Sequence, residues 1–300
     1  MKNITLGNSN LSASQIALGC MRISNMEIRD IANLIENAYG EGINFFDHAD
    51  IYGAGLCEEK FAKALKLTDI KREDIILQSK CAIVPGVMYD FSKEYILNSV
   101  DGILNRLDTD YIDVLLLHRP DALCEPNEVA EAFDKLYTSG KVKSFGVSNH
   151  TPYQIELLKK YLKQDIIANQ IQFSIPFASI ISQGMECNMQ TDGAVNRDGG
   201  ILDYCRLNNI TVQSWSPFQF LSDGDKMPEL KNALSELSEK YNTTPTAIST
   251  AWQLRHPANI QVVAGTTNIN RIKEIASGAD ISLTRAEWYK LYLAAGHILP

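Results

Sequence analysis

Short runs rich in β-branched residues recur eight times along this chain, each followed by a segment whose apolar residues fall at helical spacing. The runs are Gln15–Gly19, Ile43–Asp47, Ile75–Lys80, Ile112–His118, Val142–Ser148, Ile167–Gln172, Ile210–Trp215 and Ile260–Ala264. Between them the helical sets include Ile31, Leu34, Ile35 and Ala38, then Ile96, Val100, Ile103, Leu104 and Leu107, and later Leu230, Ala233, Leu234, Leu237 and Tyr241. Each helix has one face to bury, and eight strand–helix units in 300 residues meet the requirement of a closed parallel (β/α)8 TIM barrel. The competitor is an open doubly wound sheet, whose dinucleotide-binding form carries GxGxxG after its first strand. Here that position reads Gly19, Cys20, Met21, Arg22, which favours the barrel.

Ile4–Leu6, the turn Gly7 to Asn10, and Leu11–Ala13 predict an N-terminal β-hairpin that plugs the barrel end opposite the active site. Helical patterns near Asn270–Ser277 and Thr284–Ala295 follow the eighth strand and predict an extra C-terminal helix. Two connections, about Phe173 to Gly200 and about Pro217 to Met227, are longer than a plain barrel needs, and ordered loops of that length tend to carry function. No linker or low-complexity tract interrupts the pattern, so residues 1–300 are expected to form a single domain.

Basic residues number 28 against 36 acidic, a net charge of −8 with no basic cluster, which argues against a nucleic-acid partner. The longest apolar runs, such as Val114–Leu117, are far too short to span a bilayer. Six cysteines show no CxxC pair or metal-ligand spacing, and Met1–Gly7 lacks the form of a signal peptide; a cytoplasmic protein with reduced thiols and a small-molecule partner is expected.

In a barrel the chemistry sits at the C-terminal strand ends. The second run ends in Asp47, the third in Lys80 and the fourth in His118, while Tyr52 lies in the loop just past Asp47. Any one of these reads as an ordinary cap or ion pair; three consecutive strands ending this way point to a site. A buried Lys80 needs a counter-charge, and Asp47 on the neighbouring strand supplies one. A tyrosine hydroxyl beside that ammonium is expected to have its pKa drawn down from about 10, which would make Tyr52 a general acid. A metal cluster of Asp47, His48 and Asp50 with His118 is disfavoured, because adjacent strand residues point to opposite sides and no His-x-His ends the first strand. Cys20, Cys57 and Cys81 near the mouth read as small buried hydrophobes. Met185, Cys187 and Met189, in the sixth connection, either line a substrate wall or fill gaps.

These residues carry a resemblance to the aldo-keto reductase family. It rests on Gly42 to Gly53 (GINFFDHADIYG), Lys80, Asp113 with His118 to Asp121, Gly140 to Asn149 (GKVKSFGVSN), Asn169-Gln170, Ser214 to Pro217 and Gly265 to Glu274 (GTTNINRIKE), in one order over essentially the whole chain. Within the family the last motif and the short tail are most similar to the bacterial YdhF-like oxidoreductases. The resemblance implies reduction of an aldehyde or ketone by hydride transfer: Tyr52 gives the proton, Lys80 held by Asp47 lowers its pKa, His118 orients the carbonyl, and no metal is needed. It also implies an extended nicotinamide cofactor, its carboxamide on Ser148, Asn149 and Gln170, its ring on Trp215, and its pyrophosphate near Ser216, Pro217 and Phe218, with Gly19, Met21 and Asp47 completing that set. Gly265, Thr266, Asn270 and Arg271 would meet the ribose 2′-phosphate and Glu274 the adenine.

Gly265 stands where many relatives carry a lysine, which leaves Arg271 as the main discriminator; NADPH (NADP+) is expected ahead of NADH, with NADH still usable. Arg119 replaces a tryptophan that often follows the catalytic histidine, and is expected to draw substrates bearing a carboxylate. Only Gly296–Pro300 follows the last helix, so the pocket is expected to be open on that side. The alternative of a different class is an NADP(H)-binding redox sensor or regulatory subunit with little turnover.

Overall fold

The computed structural model describes residues 1–222 and 226–298. Eight parallel strands close into a barrel in simple chain order: β1 (Ile16–Gly19), β2 (Phe45–Asp47), β3 (Ile76–Cys81), β4 (Ile112–Leu117), β5 (Val142–Ser148), β6 (Ile166–Gln172), β7 (Thr211–Trp215) and β8 (Ile260–Ala264), which pairs back on β1. Every strand lies within the expected run to within two residues. The helices are α1 (Ile28–Gly40), α2 (Leu56–Leu65), α3 (Lys93–Leu107), α4 (Pro126–Thr138), α5 (Pro152–Lys159), α6 (Ser179–Met185), α7 (Ile201–Leu207), α8 (Pro228–Tyr241), α9 (Pro245–Leu254), α10 (Ile269–Ser277) and α11 (Arg285–Ala294).

The two-residue period of the strands sorts their side chains into two apolar layers. Phe46, Leu77, Leu115 and Phe145 face outward to meet α1 to α4, with Phe145 stacked on Phe133 of α4 at 4.1 Å between centroids. Phe45, Ile76, Val114, Leu116, Ala168 and Val263 face inward, where they pack with Leu6 and Ala13. Those last two come from the N-terminal hairpin, Asn3–Thr5 paired antiparallel with Ser12–Ser14, so the hairpin closes the base of the barrel as expected. Burying a leucine such as Leu6 this fully contributes about 1.5–3 kcal/mol.

A second hairpin after β3, Ile83–Val84 with Met88–Tyr89, is absent from the sequence reading. Its strands are too short for a period, although Pro85-Gly86 between them is a turn signal. The sixth connection holds α6 and a helical turn at Asp192–Ala194. The segment after α11 docks on that connection: the His297 ring stacks on Tyr292 at 4.4 Å, and its Nε2 lies 2.8 Å from the Ile175 carbonyl. Of the seventh connection, residues 223–225 lie outside the described residues, as do Leu299 and Pro300 of the tail.

Gly7 makes the plug's turn at φ 54°, a left-handed conformation, and its N–H donates to Thr211 Oγ1 at 2.9 Å. A Cβ there would sit 2.4 Å from the Ile167 carbonyl oxygen, which is backbone of β6 and cannot move aside. Gly7→Ala is therefore expected to lower the unfolding free energy by about 2 kcal/mol or more. Gly140→Ala, at φ 74° but with open space around it, should cost about 1 kcal/mol. Urea denaturation of both variants checks this, and equal losses would disprove the close approach of plug to barrel.

Candidate active site

Lys80 is fully buried near the top of β3, and its ammonium has three protons to place. Its Nζ lies 2.8 Å from both carboxylate oxygens of Asp47, 2.8 Å from the His48 carbonyl and 3.2 Å from Tyr52 Oη. Burial is the largest single influence and opposes its charge, but the Asp47 carboxylate and the Tyr52 oxygen, through charge and hydrogen bonds together, outweigh it, so the ammonium is held above its ordinary pKa. Because Lys80 donates to Tyr52 Oη, the phenol's own proton is left to point elsewhere. The Tyr52 ring stands edge-on to His118 at 6.0 Å and 83°.

One expectation is corrected here. The Tyr52 pKa is raised, not lowered: burial is the largest influence, Asp47 adds to it, and the pull of Lys80 does not overcome them. A phenolate in this enclosed position loses more hydration than one ammonium, already shared with a carboxylate, returns.

Tyr52 is set by the chain that follows it. Gly53, Ala54 and Gly55 have φ of 57°, 55° and 92°, three successive left-handed residues that reverse the backbone into α2. A Cβ on Gly55 would meet Arg106 at 2.7 Å. That arginine donates from Nε to Glu58 at 2.7 Å, and the buried Glu58 also accepts from Ser79 Oγ at 2.6 Å, tying α2 to α3 and to the strand that carries Lys80. Asp50, in the same loop, is pushed up to about 7 by burial and by Glu58.

His118 follows β4. Burial first, then Lys80 and Arg119, lower its pKa to about 3, so the imidazole is neutral and keeps one N–H and one acceptor. The Arg119 guanidinium lies 5.9 Å from the centre of the Trp215 ring and has no hydrogen bond or ion pair to any described residue. His48, by contrast, points outward to pack edge-on against Phe61 at 4.6 Å, with neither ring nitrogen bonded to any described residue, which takes it away from Asp47 and His118. Cys20, Cys57 and Cys81 are buried, and burial raises their thiol pKa values.

Beneath this group lies a feature the sequence reading missed. Gln78, Gln170, Gln213 and Gln261 fill the barrel interior at inward positions of β3, β6, β7 and β8. Gln78 and Gln213 bond each other reciprocally at 2.9 and 3.0 Å, Gln170 donates to Gln213 at 3.1 Å, and Gln213 donates to Gln261 at 2.9 Å. Gln78 and Gln170 also donate to Asp47 Oδ1, at 2.6 and 3.2 Å. A glutamine at inward register in otherwise apolar strands was the available signal.

The remaining rim, β5 to β8 and β1, carries the residues expected to hold a cofactor. Asn149 sits at φ 58° after β5, donates to Ser148 Oγ at 2.8 Å and accepts from Trp215 Nε1 at 3.2 Å, which fixes the indole at the mouth. Gln170 turns its amide nitrogen inward to Asp47 and Gln213. Ser216 and Phe218 are partly exposed and Pro217 is buried; Gly19 is buried and Met21 exposed. Past β8, nothing lies within 4 Å of a Cβ built on Gly265. There the N-terminus of α10, capped by Asn268, presents exposed Asn270 and Arg271 with partly exposed Thr266 and Glu274. A helix N-terminus beside an exposed guanidinium suits a phosphate, and an indole held by its own N–H suits a flat ring, so these residues fit a dinucleotide. The fold and this group of residues define a barrel oxidoreductase.

The chain belongs to the aldo/keto reductase family, whose model matches residues 15–292, and it is, with that family, an NAD(P)H-dependent oxidoreductase. Over the full length of both chains it is 34% identical to "Uncharacterized oxidoreductase YcsN" of Bacillus subtilis and 31% identical to "Oxidoreductase YdhF" of Escherichia coli. It is 32% identical to the "6-dehydroglucose reductase" of Agrobacterium fabrum over 98% of each chain. The crystal structure of the thermostable aldo-keto reductase Tm1743 is similar with a TM-score of 0.82 at 25% identity, covering 98% of this chain and 100% of that one. Among the described residues no helix is long and apolar enough to cross a membrane.

The outward burial of His48 has a consequence for acid stability. Burial, then Lys80, lowers its pKa from 6.5 to about 3, so between those values the unfolded chain binds a proton that the folded one refuses. Stability is lost as pH falls through that window, at about 1.4 kcal/mol per pH unit from this residue. His48→Phe, which keeps the packing on Phe61, should lose less stability than wild type between pH 6.5 and pH 4.5 in urea unfolding. Identical losses would mean His48 is protonated in the folded state.

Proposed function

We propose that this protein reduces an aldehyde or ketone with NADPH, with Tyr52 as the proton donor. The observation that carries the reading is the hydrogen bond from Lys80 to Tyr52 Oη at 3.2 Å. When bound, the reduced nicotinamide supplies the hydride. Tyr52 presents its proton to the carbonyl oxygen; the ammonium donating to its oxygen stabilises the phenolate left behind, and Asp47 keeps that ammonium in place. The raised pKa suits an acid that must stay protonated until the carbonyl oxygen gains charge. His118, neutral, orients the carbonyl from the adjacent strand with its remaining N–H.

Ser148, Asn149 and Gln170 with Trp215 serve the nicotinamide end, together with Gly19, Met21 and Asp47. Ser216, Pro217 and Phe218 serve the pyrophosphate, and Gly265, Thr266, Asn270, Arg271 and Glu274 the adenosine end. Arg271 gives the preference for NADPH over NADH, a guanidinium being matched to a 2′-phosphate. Arg119, next to His118 and without an ion pair among the described residues, selects carbonyl substrates that carry an anionic group. Relatives named 6-dehydroglucose reductase make oxidised sugars the first neutral compounds to try.

The test is oxidation of NADPH and NADH against a panel of carbonyl compounds, with variants alongside. Tyr52→Phe should lose at least about a hundredfold in kcat while still binding NADPH; full activity in that variant would overturn the mechanism. Cofactor binding without turnover in the wild type would return the protein to the sensor reading. Arg119→Ala should lower the kcat/KM ratio of acidic to neutral aldehydes by about tenfold; an unchanged ratio removes Arg119 from substrate selection.

A further inference from the structure

The four glutamines of the barrel interior lie below the reacting group and are buried. Carboxamides are costly there unless every donor and acceptor is used, because they share the barrel interior with apolar side chains, Ile76, Val114, Ala168 and Val263. Their arrangement has a sense that begins at the base of the barrel. Gln261 Nε2 donates to the main-chain carbonyl of Ser14 at 2.8 Å, and a carbonyl can only accept. Its own oxygen must then face Gln213, which donates to it. Gln213 uses its second N–H on Gln78 Oε1 and both lone pairs on the nitrogens of Gln78 and Gln170, so all four of its bonds are made. With that orientation set, Gln78 and Gln170 can only present N–H groups to Asp47 Oδ1, which also receives Lys80. Reversing the Gln78 amide would turn its oxygen on a carboxylate.

Resting on the reductase reading above, we propose that Gln213 is a positioning residue: the amide network it centres holds Asp47 in one orientation and thereby aims Lys80 and Tyr52 at the carbonyl. The chain from Gln213 to the reacting proton has four links: Gln213 to Gln78 or Gln170, either of these to Asp47, Asp47 to Lys80, and Lys80 to Tyr52 Oη. Displacements well under an ångström at Asp47 are enough to matter, because misplacement by about 1 Å at a reacting group costs about a hundredfold in rate. An apolar replacement of the same size would fill the barrel as well, so packing alone does not require these amides.

The experiment compares wild type with Gln213→Met and with the pair Gln78→Met plus Gln213→Met, which removes the reciprocal amides together and leaves fewer orphaned groups if the single variant does not fold. Steady-state kinetics are read as kcat against KM, NADPH affinity by fluorescence, folding by thermal melting, and Tyr52 by NMR titration of 13C-labelled tyrosine, its signal identified by its loss in Tyr52→Phe. The expected result is a kcat about tenfold lower with KM and NADPH affinity within about threefold of wild type, a native melting transition, and a Tyr52 phenol that titrates at higher pH because Lys80 is less well held. Wild-type kcat and an unchanged Tyr52 titration in a folded variant would overturn the proposal. So would failure of both variants to fold, which assigns the network to folding. Inactivity of the wild type on every carbonyl would count against the reductase reading, while the Tyr52 titration would still decide the role of Gln213.

Discussion

Everything at the mouth of this barrel depends on the ion pair between Lys80 and Asp47. Both groups are buried, and a pair so placed returns its desolvation cost only if the remaining protons and lone pairs are met as well. Here the ammonium's protons go to a carboxylate, a main-chain carbonyl and a phenol, while the carboxylate takes further N–H groups from below. The pair thus has a direction: charge compensation comes from beneath, and the phenol oxygen at the edge is the one partner that also faces the mouth. Without Asp47, Lys80 would be a buried cation that sheds its proton; without Lys80, Tyr52 would be a phenol with no means of holding negative charge.

The barrel gives that pair its setting by dividing its rim. Three neighbouring strands, β2 to β4, bring Asp47, Lys80 and His118 together, and the other five carry most of the residues proposed to hold the cofactor. Inside the barrel amides and aliphatic groups share the lining, and the hairpin seals the base with Leu6 and Ala13. Tyr52 is the exception to strand-borne placement: it hangs on a loop, and the Glu58–Arg106 pair with the left-handed turn does for it what hydrogen-bonded strands do for its neighbours.

Much of this was legible in the residues. The barrel followed from the alternation of the two periods, and Asp47, Lys80 and His118 from polar residues closing apolar runs. The direction of the Tyr52 shift was misread because a sequence shows that a lysine is near but not how deeply the phenol is enclosed, and burial is the larger influence. Gln170 was expected only at the cofactor, since nothing local reveals that its nitrogen turns toward Gln213, 43 residues away in sequence. The docking of His297 on Ile175 was invisible for the same reason: the partners are 122 residues apart and joined by no shared pattern.

The bond from Gln261 to the Ser14 carbonyl joins residues 247 apart in sequence, and β8 closes the barrel by pairing with β1 at comparable separation. Contacts of such range are slow to form, since loop closure must precede any gain from them. On a ribosome the strands carrying Asp47, Lys80 and His118 emerge well before the strand that completes the barrel beneath them. Until that last strand docks, Lys80 and Asp47 lack a floor and the inner face lies open, so the partly made chain carries an exposed apolar sheet edge and is prone to associate. Catalytic geometry here is a late product of folding, reached only when the two ends of the chain meet.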